Sequence, residues 1–560
     1  MHFTFFNFEF IVVYYPPTFP RDLESHLITL MHKLQKEWQT HKRVKKLVGT
    51  NSFPELQGRT PPFWWYQFIL LRHEKKFDPS FAAYLHELLV KTKIRSISGV
   101  SPLTLFTKGV GCPFHCIYCP SEPNVPKSYL SDEPAVMRAI RSKYNPYIQT
   151  QSRLIMFALS GHSIDKIEVI IKGGTFSFLP RRYRTFFIKQ IYNACNTNIT
   201  RLLKKGTTAV KKETIVHAQT TNETAPSRII GINIETRPDY ITTHELRYLR
   251  RLGVTHVELG VQTIYNDVYT TIKRGHTIDA VIQATRLLRD AGFKTGYHLM
   301  PNLPGSSPER DTEMMRTIFE DPSFKPDHLK LYPTTITKFT QLAEWYKKGL
   351  YKPYDLTTLV DIIVQAKKNI IPPWVRIGRL TRDITTTMMA ANRFPPNLRE
   401  IIQKKMHEQR VVCHCIRCRE IQLAHPRPPL TVRTIEYQAA GGKEFFIEKK
   451  DADDKCLGFI RLRFPSYLFD PSSKPLFPSL AHAALIRELH VYGKSTPIGE
   501  KGDHTAQHKG VGEELLELAE LKVREHAVPS LAIIAGIGVR EYYRKKGYAL
   551  SQTYMVKKLV

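Results

Sequence analysis

The chain of 560 residues is short of acidic residues, short of cysteine and without any long apolar run. Each shortage excludes a class of protein. A bilayer-spanning helix needs about 20 consecutive apolar residues, and no stretch supplies them. Eight cysteines in so long a chain are too few for a disulfide scaffold. Six of them fall in two tight groups, the pattern of metal ligation in a reducing compartment. The other two, Cys195 and Cys456, read as core residues. There is no internal repeat, and the apolar residues 1–15 lack the basic n-region and small-residue cleavage site of a signal peptide. The expectation is a cytoplasmic protein of two to four domains.

Positive charge is abundant. Lys plus Arg number 82 against 51 Asp plus Glu, a net +31, with a pI near 9.7. Such an excess favours a polyanionic partner, because each neutralised phosphate releases condensed counterions. A basic surface also binds anionic lipid; with no spanning segment, nucleic acid is the preferred reading.

The most informative stretch is Gly111-Cys-Pro-Phe-His-Cys-Ile-Tyr-Cys-Pro120, which spaces Cys112, Cys116 and Cys119 as C-x3-C-x2-C. Three thiolates on one loop can hold three irons of a [4Fe–4S] cluster and leave the fourth iron open. An open iron can chelate S-adenosylmethionine and split it to a 5′-deoxyadenosyl radical, and the spacing is that of the radical-SAM superfamily. The competing readings are a zinc knuckle and a chance cluster of buried thiols.

Residues 1–95 read as a basic helical region. Its cluster His41-Lys-Arg-Val-Lys-Lys46 precedes the aromatics Phe63-Trp-Trp-Tyr66, which either stack on bases or fill a core. From 96 to 390, short apolar runs alternate with amphipathic segments. Strands are expected at 166–172, 229–236, 256–262, 294–300 and 328–332, and helices around 277–291 and 356–368. The alternation implies βαβ units and a parallel sheet. Chemistry in parallel barrels gathers at strand C-termini, where Gly173, Gly174, Thr175, Glu235 and Gln262 fall. The Gly-Gly-Thr backbone can meet the methionyl amine of S-adenosylmethionine. Glu235 and Gln262 can contact a ligand, and Glu235 can instead pair with Arg237. Residues 204–227, rich in Lys and Thr, read as a mobile surface insertion.

Residues 391–430 form a basic linker carrying Cys413, Cys415 and Cys418 as C-x-C-x2-C. Structural zinc is the favoured reading, with the fourth ligand open between His414, His425 and a distant residue. Residues 431–560 read as a smaller α/β unit, with strands at 458–463, 484–491 and 531–535 and helices after Gly510 and Gly538. Here Gln507-His-Lys509-Gly510-Val511-Gly512 precedes an amphipathic helix and fits the Q/R-x-x-G-x-G/A loop of GNAT acetyltransferases. Small residues let backbone N–H groups face the CoA diphosphate at a helix N-terminus. Glu488-Leu489-His490-Val491 supplies the strand expected before the loop. Tyr542 or Tyr543, on a late helix ending in Gly547-Tyr548, can protonate a departing CoA thiolate or simply pack on its helix face.

A radical-SAM loop and a GNAT unit in one chain resemble the catalytic subunit of Elongator, a tRNA-modifying family that also occurs alone in bacteria and archaea. The resemblance runs from about residue 95 to the end. It includes Tyr144-Asn-Pro-Tyr-Ile-Gln-Thr150, Gly161-His-Ser-Ile-Asp-Lys166, Ile234-Glu-Thr-Arg-Pro-Asp-Tyr240, Glu258-Leu-Gly-Val-Gln262, Met300-Pro-Asn-Leu-Pro304 and Arg487-Glu-Leu-His-Val-Tyr-Gly493. It implies an α/β protein: a partial TIM-like radical-SAM barrel fused to a GNAT acetyltransferase domain, after a basic helical N-terminal region that is a candidate for tRNA binding. The implied enzyme is a tRNA carboxymethyluridine synthase using a [4Fe–4S] cluster, S-adenosylmethionine and, as substrate, acetyl-CoA. The radical takes a hydrogen from the acetyl methyl, the carbon radical adds to C5 of the wobble uridine, and thioester hydrolysis leaves 5-carboxymethyluridine. By motif, Lys166 and 488–491 touch acetyl-CoA, with Val511, Gly512 and one of Tyr542 and Tyr543.

The implied partner is the tRNA anticodon loop, which must splay its base. A stand-alone form implies no membrane and no Elongator accessory subunits, and leaves room for a homodimer. One departure is local: Ser121-Glu122 stands where many relatives carry Gly-Gly. Two other functions fit part of the pattern, a protein-lysine acetyltransferase with a structural iron–sulfur cluster and a non-catalytic tRNA-binding scaffold.

Overall fold

Strand Lys166–Lys172 (β2) alternates Ile167, Val169 and Ile171, all buried, with half-buried Glu168, Ile170 and Lys172. Successive side chains of a strand point to opposite faces. The branched set therefore packs outward with Leu154, Ile188 and Ile191 of the covering helices, and the polar set faces inward. Six more strands join it in parallel and in chain order: Ser101–Phe106 (β1), Arg228–Thr236 (β3), His256–Gln262 (β4), Lys294–Leu299 (β5), His328–Leu331 (β6) and Arg376–Arg379 (β7). The edge strands β1 and β7 do not pair, so the sheet is an open, partial barrel. This computed structural model describes residues 21–40, 44, 48, 63–89, 98–110, 112–205, 213–391, 394–422, 424–470, 472–493 and 510–559.

The helices between strands begin where the sequence supplies caps. Asn145, Thr242, Ser307 and Asp355 each accept a backbone N–H in the first turn of the helix that follows, satisfying donors with no partner inside the helix. In the N-terminal region, helices Arg21–Gln39, Phe63–His73 and Pro79–Leu88 form. Their aromatics divide: Tyr66 and Phe68 are fully buried, while Phe63 is 45% exposed. Residues 1–15 and, Val44 excepted, the His41–Lys46 cluster lie outside the described residues.

Within the segment expected as a mobile insertion, the described residues 213–227 pack onto the barrel. Helix Ile215–Asn222 packs on Arg181–Asn196, and buried Asn222 hydrogen-bonds Asn196, Ser227 and Ile229. Glu223 then accepts from Arg540 at 3.0 Å and Arg544 at 2.7 Å. The Lys/Thr composition conceals this because its anchors are polar and distant in sequence.

A second sheet follows: Thr431–Ala439 (β8), Gly442–Lys450 (β9), Cys456–Phe464 (β10), Ala483–Val491 (β11), Ser530–Ile533 (β12), Ala549–Ser551 (β13) and Tyr554–Lys558 (β14), in the order β8-β9-β10-β11-β12-β14-β13. All its pairs are antiparallel except β11 with β12, which run parallel over Ala483–Ile486 and then separate. Helix Val511–Glu525 covers β10 and β11.

Buried ion pairs join the two sheets. Arg487 of β11 donates to both oxygens of Asp327 at 2.7 Å and to Glu444, and Arg289 donates to Glu444 at 2.8 Å. Burial alone would raise the Asp327 carboxyl; Arg487, Arg289 and Arg461 overcome it and hold the group well below the usual carboxylate range. Such pairs add little net stability but cost about 3–5 kcal/mol to break one-sidedly. They fix how the second sheet sits against the barrel base.

Candidate functional site

The cysteine loop lies over the C-terminal ends of the barrel strands, beside a cavity of about 120 Å³ bordered by Cys112, Cys116, Cys119, Gly174 and Gln262. Glu235, Thr175 and Gly173 border it too, so this expected set converges. Gly173 and Gly174 take φ of +133° and +87°. A Cβ on Gly173 would lie 2.1 Å from Thr107 Oγ1, so glycine is needed both for conformation and for space.

Burial, reinforced by Cys116, pushes the Cys119 thiol up to about 11. Arg274 donates to Cys116 Sγ at 3.7 Å and to the Gly260 carbonyl. Arg237 stands 3.4 Å over the Phe114 ring and binds Asp239 at 2.9 Å, so the Glu235–Arg237 pair open in the sequence does not form. Gln262 holds φ +70°, and its Oε1, with Arg237 Nη1 and Thr236 Oγ1, is buried without a hydrogen-bond partner. Soft thiols beside a cavity rimmed by orphaned polar atoms fit a [4Fe–4S] cluster with a polar ligand. Ser121 and Glu122 are not among the residues bordering the cavity: Ser121 Oγ accepts from Lys127 and donates to the Cys119 carbonyl at 3.3 Å, and Glu122 accepts from the Ser131 amide at 2.7 Å and hydroxyl at 2.6 Å.

Below the cavity the barrel carries a charged network. Lys172 pairs with Glu235 and, at 3.4 Å, with Glu258; Lys330 pairs with Glu258; His298 Nε2 lies 2.9 Å from Glu258; and Tyr129 donates to Glu235 at 2.5 Å. Burial pushes Lys330 down to about 8, against the pull of Glu258. Glu235, Glu258 and His298 lie close enough to hold a metal ion, but two lysine ammoniums already neutralise the carboxylates.

At the barrel base a cavity of about 190 Å³ lies where β11 and β12 separate, bordered by Lys294, Glu488, Leu489, His490 and Tyr543. Lys294 pairs with Glu488 at 2.6 Å. Burial would raise Glu488; Lys294 leads the groups that hold it well below its usual range. His490 Nε2 lies 3.0 Å from the Ser98 carbonyl. Gly510, at φ +83°, caps helix Val511–Glu525, and a Cβ on Gly512 would lie 3.5 Å from Val491 and 3.6 Å from the Tyr542 hydroxyl. Tyr542 and Tyr543 thus separate: the first stands at the glycine turn, the second at the cavity. Lys166 opens β2 outside the residues bordering this cavity, and Gln507 and Lys509 lie outside the described residues.

Cys413, Cys415 and Cys418 form a different kind of site. Their sulfurs all lie within 4.8 Å of one another, and Lys367 donates to Cys413 at 3.1 Å and Cys418 at 3.5 Å. No histidine joins them among the described residues; His414 is exposed and lies 4.0 Å from Asp454, and His425 is exposed. Sequence reasoning missed Lys367, Tyr129, Arg274, Lys172 and Lys330. The last two had a local signal: strands written Lys-Ile-Glu-Val-Ile-Ile-Lys and His-Leu-Lys-Leu place charge at alternate positions, where a barrel core would be apolar.

Comparison with known proteins follows this geometry. Residues 106–318 match the Radical SAM superfamily and 326–408 the Radical_SAM C-terminal domain. The chain is similar to the tRNA uridine(34) acetyltransferase of Dehalococcoides mccartyi, 42% identical across 84% of this chain and 100% of that one. It is 37% identical to Elongator complex protein 3 of Homo sapiens, across 86% and 88%. Among solved structures it is similar to the archaeal Methanocaldococcus infernus Elp3 with an N-terminal deletion, with TM-score 0.70 and 35% identity over 82% of this chain and 100% of that one.

Proposed function

Because the chain belongs to the family of tRNA uridine(34) acetyltransferases and Elongator complex protein 3, we propose that it modifies C5 of the tRNA wobble uridine, drawing a two-carbon unit from acetyl-CoA and leaving a carboxymethyl group. The observation that carries this reading is the pair of cavities on one barrel, thiol-bordered at the top and walled by the second sheet at the base. Cys112, Cys116 and Cys119 hold the cluster in this reading. When bound with S-adenosylmethionine, it supplies a 5′-deoxyadenosyl radical.

The chain's own groups bind and orient. The Gly173–Gly174 backbone approaches the methionyl end, where no Cβ intrudes. Gln262 Oε1 is an unused acceptor for the amine, and Arg237 Nη1 an unused donor for the carboxylate. Lys172 and Lys330 keep Glu235 and Glu258 ionised beneath the ligand. At the base, the turn 510–512 and the helix it opens receive the CoA diphosphate. Glu488, Leu489 and His490 border the acyl end. Burial pushes the Tyr543 hydroxyl up, so it stays protonated and can donate to the departing thiolate. Tyr542, pushed up to about 12 by burial, stands nearer the diphosphate turn. The formal charge of +31 serves the anionic tRNA. Cys413, Cys415 and Cys418 offer three of the four ligands of a structural metal, zinc being the favoured ion.

The test compares acceptors. Acetyl-CoA turnover that rises with tRNA and is indifferent to lysine peptides supports this reading. Turnover that follows the peptide and ignores tRNA overturns it in favour of protein acetylation.

A further inference from the structure

The two sites of the proposed reaction lie at opposite ends of the barrel. The base cavity is bordered by residues at strand beginnings: Glu168, Lys294, His328 and Arg376. The top cavity is bordered by strand ends. A seven-residue strand such as β4 separates them by about 20 Å at roughly 3.3 Å per residue. A parallel barrel normally fills that distance with layers of branched apolar side chains. This one does not. A third cavity of about 400 Å³ runs from the barrel interior to the open edge between β1 and β7, where Pro134, Ala135 and Arg138 also border it. It shares Glu168, His328 and Arg376 with the base cavity and Tyr129, Glu258 and Tyr332 with the top one. The third cavity therefore adjoins both of the others.

One glycine borders the middle cavity. On β7, a Cβ at Gly378 would meet Lys330 at 3.7 Å, and Gly378 lines the third cavity. It has no positive φ, so the backbone does not require glycine there. Glycine inside a strand weakens the strand and marks a place where something approaches closely. On β5, Gly296 acts differently: a Cβ there would meet Glu258 and His256 at 3.2 Å and His328 at 3.4 Å, so this glycine lets those side chains pack together.

We propose that the barrel bore is a conduit through which the two-carbon acyl unit crosses from the base cavity to the radical site, with Gly378 leaving room at its waist. The inference rests on the acetyl-CoA reading above. Lys172, Lys330, His256 and His328, together with Glu168 and Glu258, line a polar path for a small polar acyl unit, free or at the end of a thioester arm. No bond is made or broken in the passage.

The test follows deuterium. With [methyl-²H₃]acetyl-CoA, the parent chain should give deuterated 5′-deoxyadenosine, since the acyl methyl reaches the radical. Gly378→Leu, and independently Ile170→Phe on β2, plug the waist. Each should bind acetyl-CoA and form deoxyadenosine as the parent does, while the deuterated fraction falls at least about tenfold, the scale of loss when reacting groups are held out of reach. The readout is a ratio, so partial misfolding cannot imitate it. An unchanged deuterated fraction in both plugged chains overturns the conduit, and so does a parent that transfers no deuterium. A parent that transfers deuterium but leaves uridine unmodified overturns the choice of uridine and leaves the conduit standing.

A further readout needs no cluster. In the metal-free protein, the thiol of Ile170→Cys should react with iodoacetate, itself a two-carbon carboxylate, and adding Gly378→Leu should slow that reaction by peptide mass mapping. Equal rates contradict the proposal. Adding unlabelled acetate then distinguishes the carried form: diluted deuterium identifies free acetate, and undiluted deuterium the CoA-tethered acyl end.

Discussion

Two cysteine triplets, much alike in sequence, have opposite surroundings. Cys112, Cys116 and Cys119 border a ligand cavity, and among the described residues their sulfurs form no group within 4.8 Å. Cys413, Cys415 and Cys418 are drawn within that distance and share the buried ammonium of Lys367. Structural metal sites are closed, and catalytic ones keep a position open. Spacing alone indicates metal in both places. Environment separates the two: the first triplet opens on a cavity, and the second packs against Lys367 of helix Leu356–Asn369.

Substitutions can break that contrast. The largest effect is expected from Cys116→Ala, which should abolish 5′-deoxyadenosine formation while leaving the melting temperature near that of the parent; retained deoxyadenosine refutes the cluster assignment. Lys367→Met should do the reverse, costing about 3 kcal/mol of stability by stripping the partner from a buried charged group, measured by denaturant unfolding. If it unfolds no more easily, the second triplet does not depend on the ammonium.

Smaller effects sharpen the picture around the first triplet. Arg274→Met removes the donor to Cys116 Sγ. Losing such a partner of a metal ligand typically weakens metal retention about tenfold, which iron release to a chelator would measure. Smallest is Glu122→Gly, which places at 122 one of the two glycines that the family resemblance leads one to expect. It should cost about 1 kcal/mol for the bonds from Ser131 and leave deoxyadenosine formation unchanged. A loss of deoxyadenosine formation would bring Glu122 back into ligand binding.

Legibility in the sequence followed the reach of each interaction. Strands β2 and β4 fall on the expected residues, because a period of two over seven residues is a local pattern. Strand β1 contains Pro102 and β7 reads Arg-Ile-Gly-Arg, so neither carried that pattern, and both emerge only from pairing with neighbours. The β8–β9 hairpin was missed for the same reason, its outer strand being largely exposed. At the top site, Gly173, Gly174, Glu235 and Gln262 were legible as strand ends. Tyr129 and Arg274 reach the cavity from elsewhere in the chain, and Lys367 meets thiols 46 or more positions away. Only the fold brings such groups together. Gly378 was visible as a letter, and its meaning depends on what stands opposite.

The most direct measurement of the central claim is mass spectrometry of tRNA nucleosides after anaerobic incubation of the reconstituted protein with [¹³C₂]acetyl-CoA, S-adenosylmethionine, reductant and tRNA. The expected product is 5-carboxymethyluridine at the wobble position carrying both ¹³C atoms, absent when any one component is left out. An unmodified wobble uridine in every tRNA, or a carboxymethyl group without the label, would contradict it.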